Sequence, residues 1–289
     1  MDFIIDAINE WIKSFLIEAI TGNLSNMFAD VNTKVATIAG EVGKTPEQWN
    51  SGVFSMINSL SQSVIVPIAG LVIAAILSYE LIHMIVEKNN MHDFDTFIFF
   101  KWIIKAGIAA YVVSHTFDFI VAIFEVAQTM VQQSAGVIDA NASIDISSAL
   151  ASITTELEAK GLGELFALML ETWVVSFAMT VMGACITIIL FGRMIEIYIY
   201  ASVGPLPFAT FMNREWGNIG TNYVRGLAAL GLQGFLIMIC VGIYAVLVNA
   251  LSLGGDLQAS IWSCAAYTVL LCFSLFKTGS VAKSILNAH

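Results

Sequence analysis

Charge is scarce in this chain, and positive charge is scarcer: 12% of its 289 residues are charged, and 12 Lys and Arg stand against 22 Asp and Glu. A net charge of −10 excludes a free nucleic-acid-binding domain that works through a basic face. The cysteines, Cys185, Cys240, Cys264 and Cys272, lie inside apolar runs and form no C-x-x-C pair. They read as small packing residues rather than disulfides or zinc ligands. Catalytic signatures are missing as well, with no G-x-S-x-G, H-E-x-x-H or dinucleotide glycine pattern. Gly43, Lys44 and Thr45 imitate the end of a phosphate-binding loop, but its first glycine would fall at Ile38 and no strand precedes it. No enzyme and no cofactor are therefore expected.

What fills the chain is oil: 58% of residues are hydrophobic and the mean hydropathy is +0.82. Several windows of about 20 residues are almost uncharged, the length that crosses roughly 30 Å of hydrocarbon as a helix. The expected fold is all-α, a polytopic helical membrane protein with about five transmembrane helices. The spans are placed at about residues 64–84, 97–121, 165–191, 226–251 and 261–276. Residues 1–63 are read as an extracellular amphipathic helical region and 64–289 as the transmembrane domain. Residues 122–164 form its outer segment and 192–225 a broken inner-face segment.

The opening MDFIIDAINEWIKSFL carries acids where a signal peptide would be basic. Ile4, Ile8, Trp11, Ile12, Phe15, Leu16 and Ala19 recur at helical spacing, which predicts an amphipathic helix for a membrane surface or a partner. A weaker pattern follows through Met27, Phe28, Val31 and Val35 and is expected to stop at GEVGK, residues 40–44. Thr45, Pro46 and Gln48 then make a capping box with proline at the first helical position, opening the helix that becomes the first span.

Orientation follows from where the basic residues sit. Residues 1–63, 119–164 and 251–260 hold Lys13, Lys34, Lys44 and Lys160 against fourteen acids. The opposite side holds eight Lys and Arg, among them Arg193, Arg214 and Arg225, against five acids. The N-terminus is therefore expected outside and the C-terminus in the cytoplasm. A sixth crossing through residues 192–211 would divide Arg193 from Arg214, so Pro205 and Pro207 are read as the tip of a segment that dips or lies at the inner face.

Charges inside spans are candidate functional groups because they are costly there. Glu80, His83 and Glu87 share a helical face, either as a proton or cation site or as interface groups pairing with Lys88 or Lys101. Arg193 and Glu196 are three apart and are expected to pair. Glu171 also lies in a span. Gly226, Gly231 and Gly234 flank Gln233, a pattern for close helix packing within one subunit or between subunits. His115 with Asp118, and the HDFD run at 92–95, have metal-ligand types in too small a number for a metal site.

The stretches MIVEKNNMHDFDTFIFFKW, RMIEIYIYASVGPLPFATFMNREWGNIGTNYVRG and GFLIMICVGIYAVLV resemble the TrbL-like polytopic membrane proteins of conjugative elements in Gram-positive bacteria. The likeness extends over nearly the whole chain. It implies a non-catalytic channel or platform subunit of a type IV secretion system that passes single-stranded DNA with its relaxase. The implied partners are further copies of the chain, other conjugation proteins and membrane lipid, with DNA and relaxase in transit. The competing readings are a small-molecule or ion transporter, against which stands the absence of repeated halves, and an assembly scaffold without a pore.

Overall fold

The computed structural model describes residues 2–87, 96–142, 153–211, 213, 215–251 and 257–288. Among them no strand occurs. The helices are α1 (Asp2–Val42), α2 (Pro46–Trp49), α3 (Ser51–Leu60), a π-helical turn (Ser61–Ile65), α4 (Val66–Glu87), α5 (Thr96–Ser114), α6 (Thr116–Ala142), α7 (Leu162–Val203), α8 (Pro205–Thr210), α9 (Gly217–Leu251) and α10 (Leu257–Ile285). A short helical stretch at 153–158 precedes α7.

Four described helical stretches are long and apolar enough to cross a membrane: Ser51–Val86, Leu162–Val203, Gly217–Leu251 and Leu257–Ile285. A fifth crossing is possible through α5 and α6, which meet at a 65° bend. The protein is thus an all-α polytopic membrane protein.

The second expected span, at about residues 97–121, falls across this bend. The cause of the bend is local. Ser114 Oγ and His115 Nδ1 both approach the Tyr111 carbonyl, at 2.9 and 3.0 Å, and Thr116 Oγ1 bonds the carbonyls of Val112 and Val113. Side chains that capture backbone acceptors in this way compete with the helical ladder. The His115 ring stacks on Tyr111 with centroids 4.2 Å apart, which holds the turn.

The capping box forms as expected: Thr45 Oγ1 accepts from the Gln48 amide at 3.3 Å, and the Thr45 amide donates to Gln48 Oε1 at 3.1 Å. The helix it opens lasts only to Trp49, because Asn50 is extended (φ −157, ψ 100) and caps a new helix by accepting from the Val53 amide. Further along, the π turn ends at Ile65, two residues before Pro67, whose ring nitrogen has no proton for the α ladder.

By internal packing the chain divides into two compact units. Unit one comprises Met1–Val42, Val131–Leu190 and Leu236–Thr278. In it α1 is a single helix, roughly 60 Å long at 1.5 Å per residue, with no break where the second pattern was expected to begin. Leu16, Ile20, Leu24, Met27, Phe28, Val31, Val35 and Ile38 form its buried stripe against α7, α9 and α10. Met27, Phe28, Val31 and Val35 are buried as their periodicity predicts, whereas Ile4, Ile8, Trp11 and Phe15 are exposed. Leu157 joins the same core.

Unit two comprises Gly43–Met130, Phe191–Phe235 and Gly279–His289. Its core gathers Ala69 and Ile73 of α4, Ala109 and Val113 of α5, Ile120 and Phe124 of α6, Ile197 and Ala201 of α7, Phe208 of α8, and Leu227 and Leu230 of α9. Tyr198 ties α7 to the α2 cap by donating to the Pro46 carbonyl at 2.6 Å.

Candidate functional site

The stretch GPLPFATFMNREWGNIG, residues 204–220, lies entirely in unit two, and its geometry explains the break. No break occurs at residue 192: α7 runs unbroken to Val203. Gly204 keeps helical angles (φ −46, ψ −46), so the interruption comes from the missing amides of Pro205 and Pro207 and not from an unusual backbone. In α8 those prolines occupy the first turn, where an amide proton has no intrahelical acceptor in any case. Glycine is required at two places by close approach. A side chain at Gly204 would meet Ile120 Cδ1 at 2.7 Å and Tyr223 Oη at 2.9 Å, and one at Gly220 would meet the Pro207 carbonyl oxygen at 2.8 Å.

α8 packs against α4, α5 and the π turn. Phe208, Ala209 and Thr210 are buried there. The chain then turns at Asn213, whose Oδ1 accepts the amides of Glu215 at 2.8 Å and Trp216 at 3.0 Å. Its Nδ2 donates to Glu80 Oε1 at 3.2 Å. Glu80 also receives Lys105 Nζ on both carboxylate oxygens, at 2.6 and 2.9 Å. The side chains of Glu80 and Lys105 are 17% and 33% exposed, so this is a largely covered pair in the middle of apolar helices. Beside it the Trp216 ring stacks on Tyr79, which also stacks on His83. Charge on α4, charge on α5 and the chain after α8 thus converge on one carboxylate.

The expected partners of Glu80 are corrected here: the cation is Lys105 rather than Lys101, which is exposed one turn away on the same helix. Lys88 and the HDFD run, like Arg214, lie outside the described residues, as does the side chain of Glu87. The expected Arg193–Glu196 pair is also replaced. Glu196 Oε1 takes Lys283 Nζ at 2.8 Å, while the Arg193 guanidinium turns inward, buried, and donates to the Leu230 carbonyl at 3.3 Å. Arg193 Nε reaches no acceptor. Nearby, Gln233 Nε2 lies 3.3 Å from where a side chain at Gly279 would begin, so the glycine makes room for the amide. Gly226 packs on the Tyr200 ring and Gly231 on Ala127, both within the unit. Arg225 is exposed on α9. A cleft of about 350 Å³ opens beside Lys283, between Tyr200, Pro207, Ile219 and Tyr223.

In unit one, Glu171 Oε1 accepts Gln258 Nε2 at 2.7 Å, and its buried Oε2 has no hydrogen-bond partner. It borders a cavity of about 280 Å³ with Lys160 and Glu164. Among the described residues no group of three or more His, Cys, Asp or Glu is placed to hold a metal ion.

Asn213 and Lys105 escaped sequence reasoning. A capping signal was available for the first, since asparagine just before a helix start commonly receives its orphan amides. No local signal marks the second.

Compared with known proteins, residues 31–205 match a family model described as TrbL/VirB6 plasmid conjugal transfer like protein. No curated protein and no solved structure matches the chain.

Proposed function

We propose that this chain, which belongs to the TrbL/VirB6 plasmid conjugal transfer-like family, is a non-catalytic channel or platform subunit of a type IV secretion system that helps single-stranded DNA and its relaxase across the membrane. The family match carries the reading, because it covers about three fifths of the chain and ends at Pro205, the first residue of α8. The reading assigns the N-terminus to the outside and the C-terminus to the cytoplasm. It assigns to α8 and the Asn213 turn the role of an inner-face element that receives cargo or docks cytoplasmic machinery. Three features support that role: the prolines that stop α7, the two glycines that admit close packing, and the shared carboxylate of Glu80. Further copies of the chain and other transfer proteins are the proposed partners.

Deletion of the gene in donor cells should abolish plasmid transfer, with recovery on complementation. Full transfer without the chain would refute the reading. Particle mass in detergent separates the alternatives: a monomer or dimer with substrate-dependent transport points to a transporter, and a larger assembly to the channel or platform. In a cysteine-free version, Asn141→Cys should react with an impermeant reagent on intact cells and Asn90→Cys should not. The reverse pattern would overturn the orientation.

A further inference from the structure

The cleft beside Lys283 in unit two lies where three candidate spans end together. The last turns of α7 bring Ile199, Tyr200 and Val203 to it, the first turns of α9 bring Ile219 and Tyr223, and the end of α10 brings Lys283. Ile199, Val203 and Ile219 are exposed, so the apolar outer surface runs straight into the cleft. Charge begins at the same level, with Glu196 paired to Lys283 and Arg225 exposed on α9. Exposed apolar side chains that meet charge and tyrosine at the ends of spans mark the level of lipid headgroups.

The floor of the cleft is fixed before anything binds. The Tyr200 and Tyr223 rings stack with centroids 5.8 Å apart and planes 19° apart, and Tyr223 Oη donates to the Tyr200 carbonyl at 2.5 Å. Gly226 lets the Tyr200 ring approach, since a side chain there would meet Tyr200 Cε1 at 3.1 Å. The volume of about 350 Å³ falls within the roughly 300–1,000 Å³ of small-molecule sites. Among the described residues Lys283 is the one charged side chain that lines it. An ammonium has three protons to donate, and Glu196 Oε1 takes one at 2.8 Å. Both side chains of that pair remain accessible, at 39% and 40% exposure.

We propose that this cleft binds one amine-bearing glycerophospholipid, with an acyl chain along Ile199, Val203 and Ile219, the phosphate on Lys283 Nζ and the headgroup amine on Glu196. The apolar wall calls for a tail, which a free phosphate lacks. Because that wall is continuous with the exposed apolar surface of the spans, lipid reaches it by moving sideways within the bilayer. The charge pair selects the headgroup: a phosphate gains charge-assisted hydrogen bonds from Lys283, and an amine gives the Glu196 carboxylate a second cation. A net-anionic headgroup without an amine would leave that carboxylate facing like charge. The inference needs only that the chain spans a membrane, and depends neither on its orientation nor on a role in transfer.

The test reconstitutes the full chain in vesicles of equal phosphatidylethanolamine and phosphatidylglycerol, re-extracts it in mild detergent and weighs it by native mass spectrometry. One phosphatidylethanolamine should stay bound per chain, in preference to phosphatidylglycerol. Lys283→Gln should lower retention at least about fivefold, the loss of a charge-assisted hydrogen bond. Val203→Trp, at an exposed position on the wall, should fill the cleft and lower it as well. Glu196→Gln should remove the preference for the amine, and Lys277→Gln, exposed on α10 outside the cleft, should change nothing. Melting curves in detergent establish that each variant is folded. Equal retention by the wild type, Lys283→Gln and Val203→Trp would overturn the proposal, leaving only lipid that coats the protein at random. Preference for phosphatidylglycerol would overturn it too, as would displacement of the lipid by excess inorganic phosphate, which would make the cleft a site for free anions.

Discussion

Replacing Glu80 with Gln tests whether the turn after α8 is held by one carboxylate. The substitution keeps the shape and leaves Lys105 without its counter-charge. In the native arrangement Glu80 accepts hydrogen bonds of 2.6 and 2.9 Å from Lys105 and one of 3.2 Å from Asn213. Exposed ion pairs contribute about 0–1 kcal/mol, and breaking a fully buried one costs about 3–5 kcal/mol. With the two side chains 17% and 33% exposed, the pair falls between these limits, and a loss of about 1–3 kcal/mol is expected. The loss should be local, since Asn213 also orders the amides of Glu215 and Trp216. Amide exchange at Trp216 and Gly217 in nanodiscs should therefore quicken by about 5- to 150-fold, the same free energy expressed as an opening equilibrium. Exchange in the middle of α10 should stay unchanged. A double-mutant cycle with Lys105→Met should return most of that energy as coupling. Unchanged exchange at Trp216, or a cycle that adds to zero coupling, would refute the claim that Glu80 holds the turn.

Gly220→Ala would place a methyl 2.8 Å from the Pro207 carbonyl oxygen, part of a backbone that cannot swing aside. It should destabilise the protein by about 1–3 kcal/mol, read as a lowered melting temperature in detergent, and an unchanged melt would show that the α8–α9 contact is loose. Changing Pro205 and Pro207 together to alanine restores two amide donors, so α7 should extend through α8; the variant should accumulate in the membrane and lose transfer. Normal transfer from a stably expressed double variant would make the break a tolerated bend. Arg193→Met should be neutral or stabilising by up to about 1–4 kcal/mol, because it removes a buried guanidinium that has one 3.3 Å bond to a carbonyl and an Nε without an acceptor. A loss of stability in that variant would mean that the charge is compensated by a group this geometry does not include.

Features that depend on neighbours along the chain were legible without a structure. The Thr45–Gln48 capping box is such a case, since its two bonds join residues three apart. So is the buried stripe of Met27, Phe28, Val31 and Val35, because helical period alone puts them on one face. The apolar runs that became α4, α7, α9 and α10 were set by length and composition, as hydrocarbon thickness requires. Sequence also located the break at Pro205 and Pro207, since proline removes donors wherever it stands. What composition and spacing leave open is which way each helix is turned and which helix lies beside it. Lys101 and Lys105 share a face of α5, and only packing decided that Lys105 meets Glu80. Glu196 was within reach of Arg193 along α7, yet Lys283, 87 residues away in the chain, took it, while Arg193 turned inward to Leu230. Within the N-terminal apolar pattern Ile4, Ile8, Trp11 and Phe15 remained exposed while the stripe beginning at Leu16 was buried. Periodicity makes a face but does not choose its partner. That choice is made by long-range contacts whose energies are small individually and depend on shape, which is why it appears only in the tertiary structure.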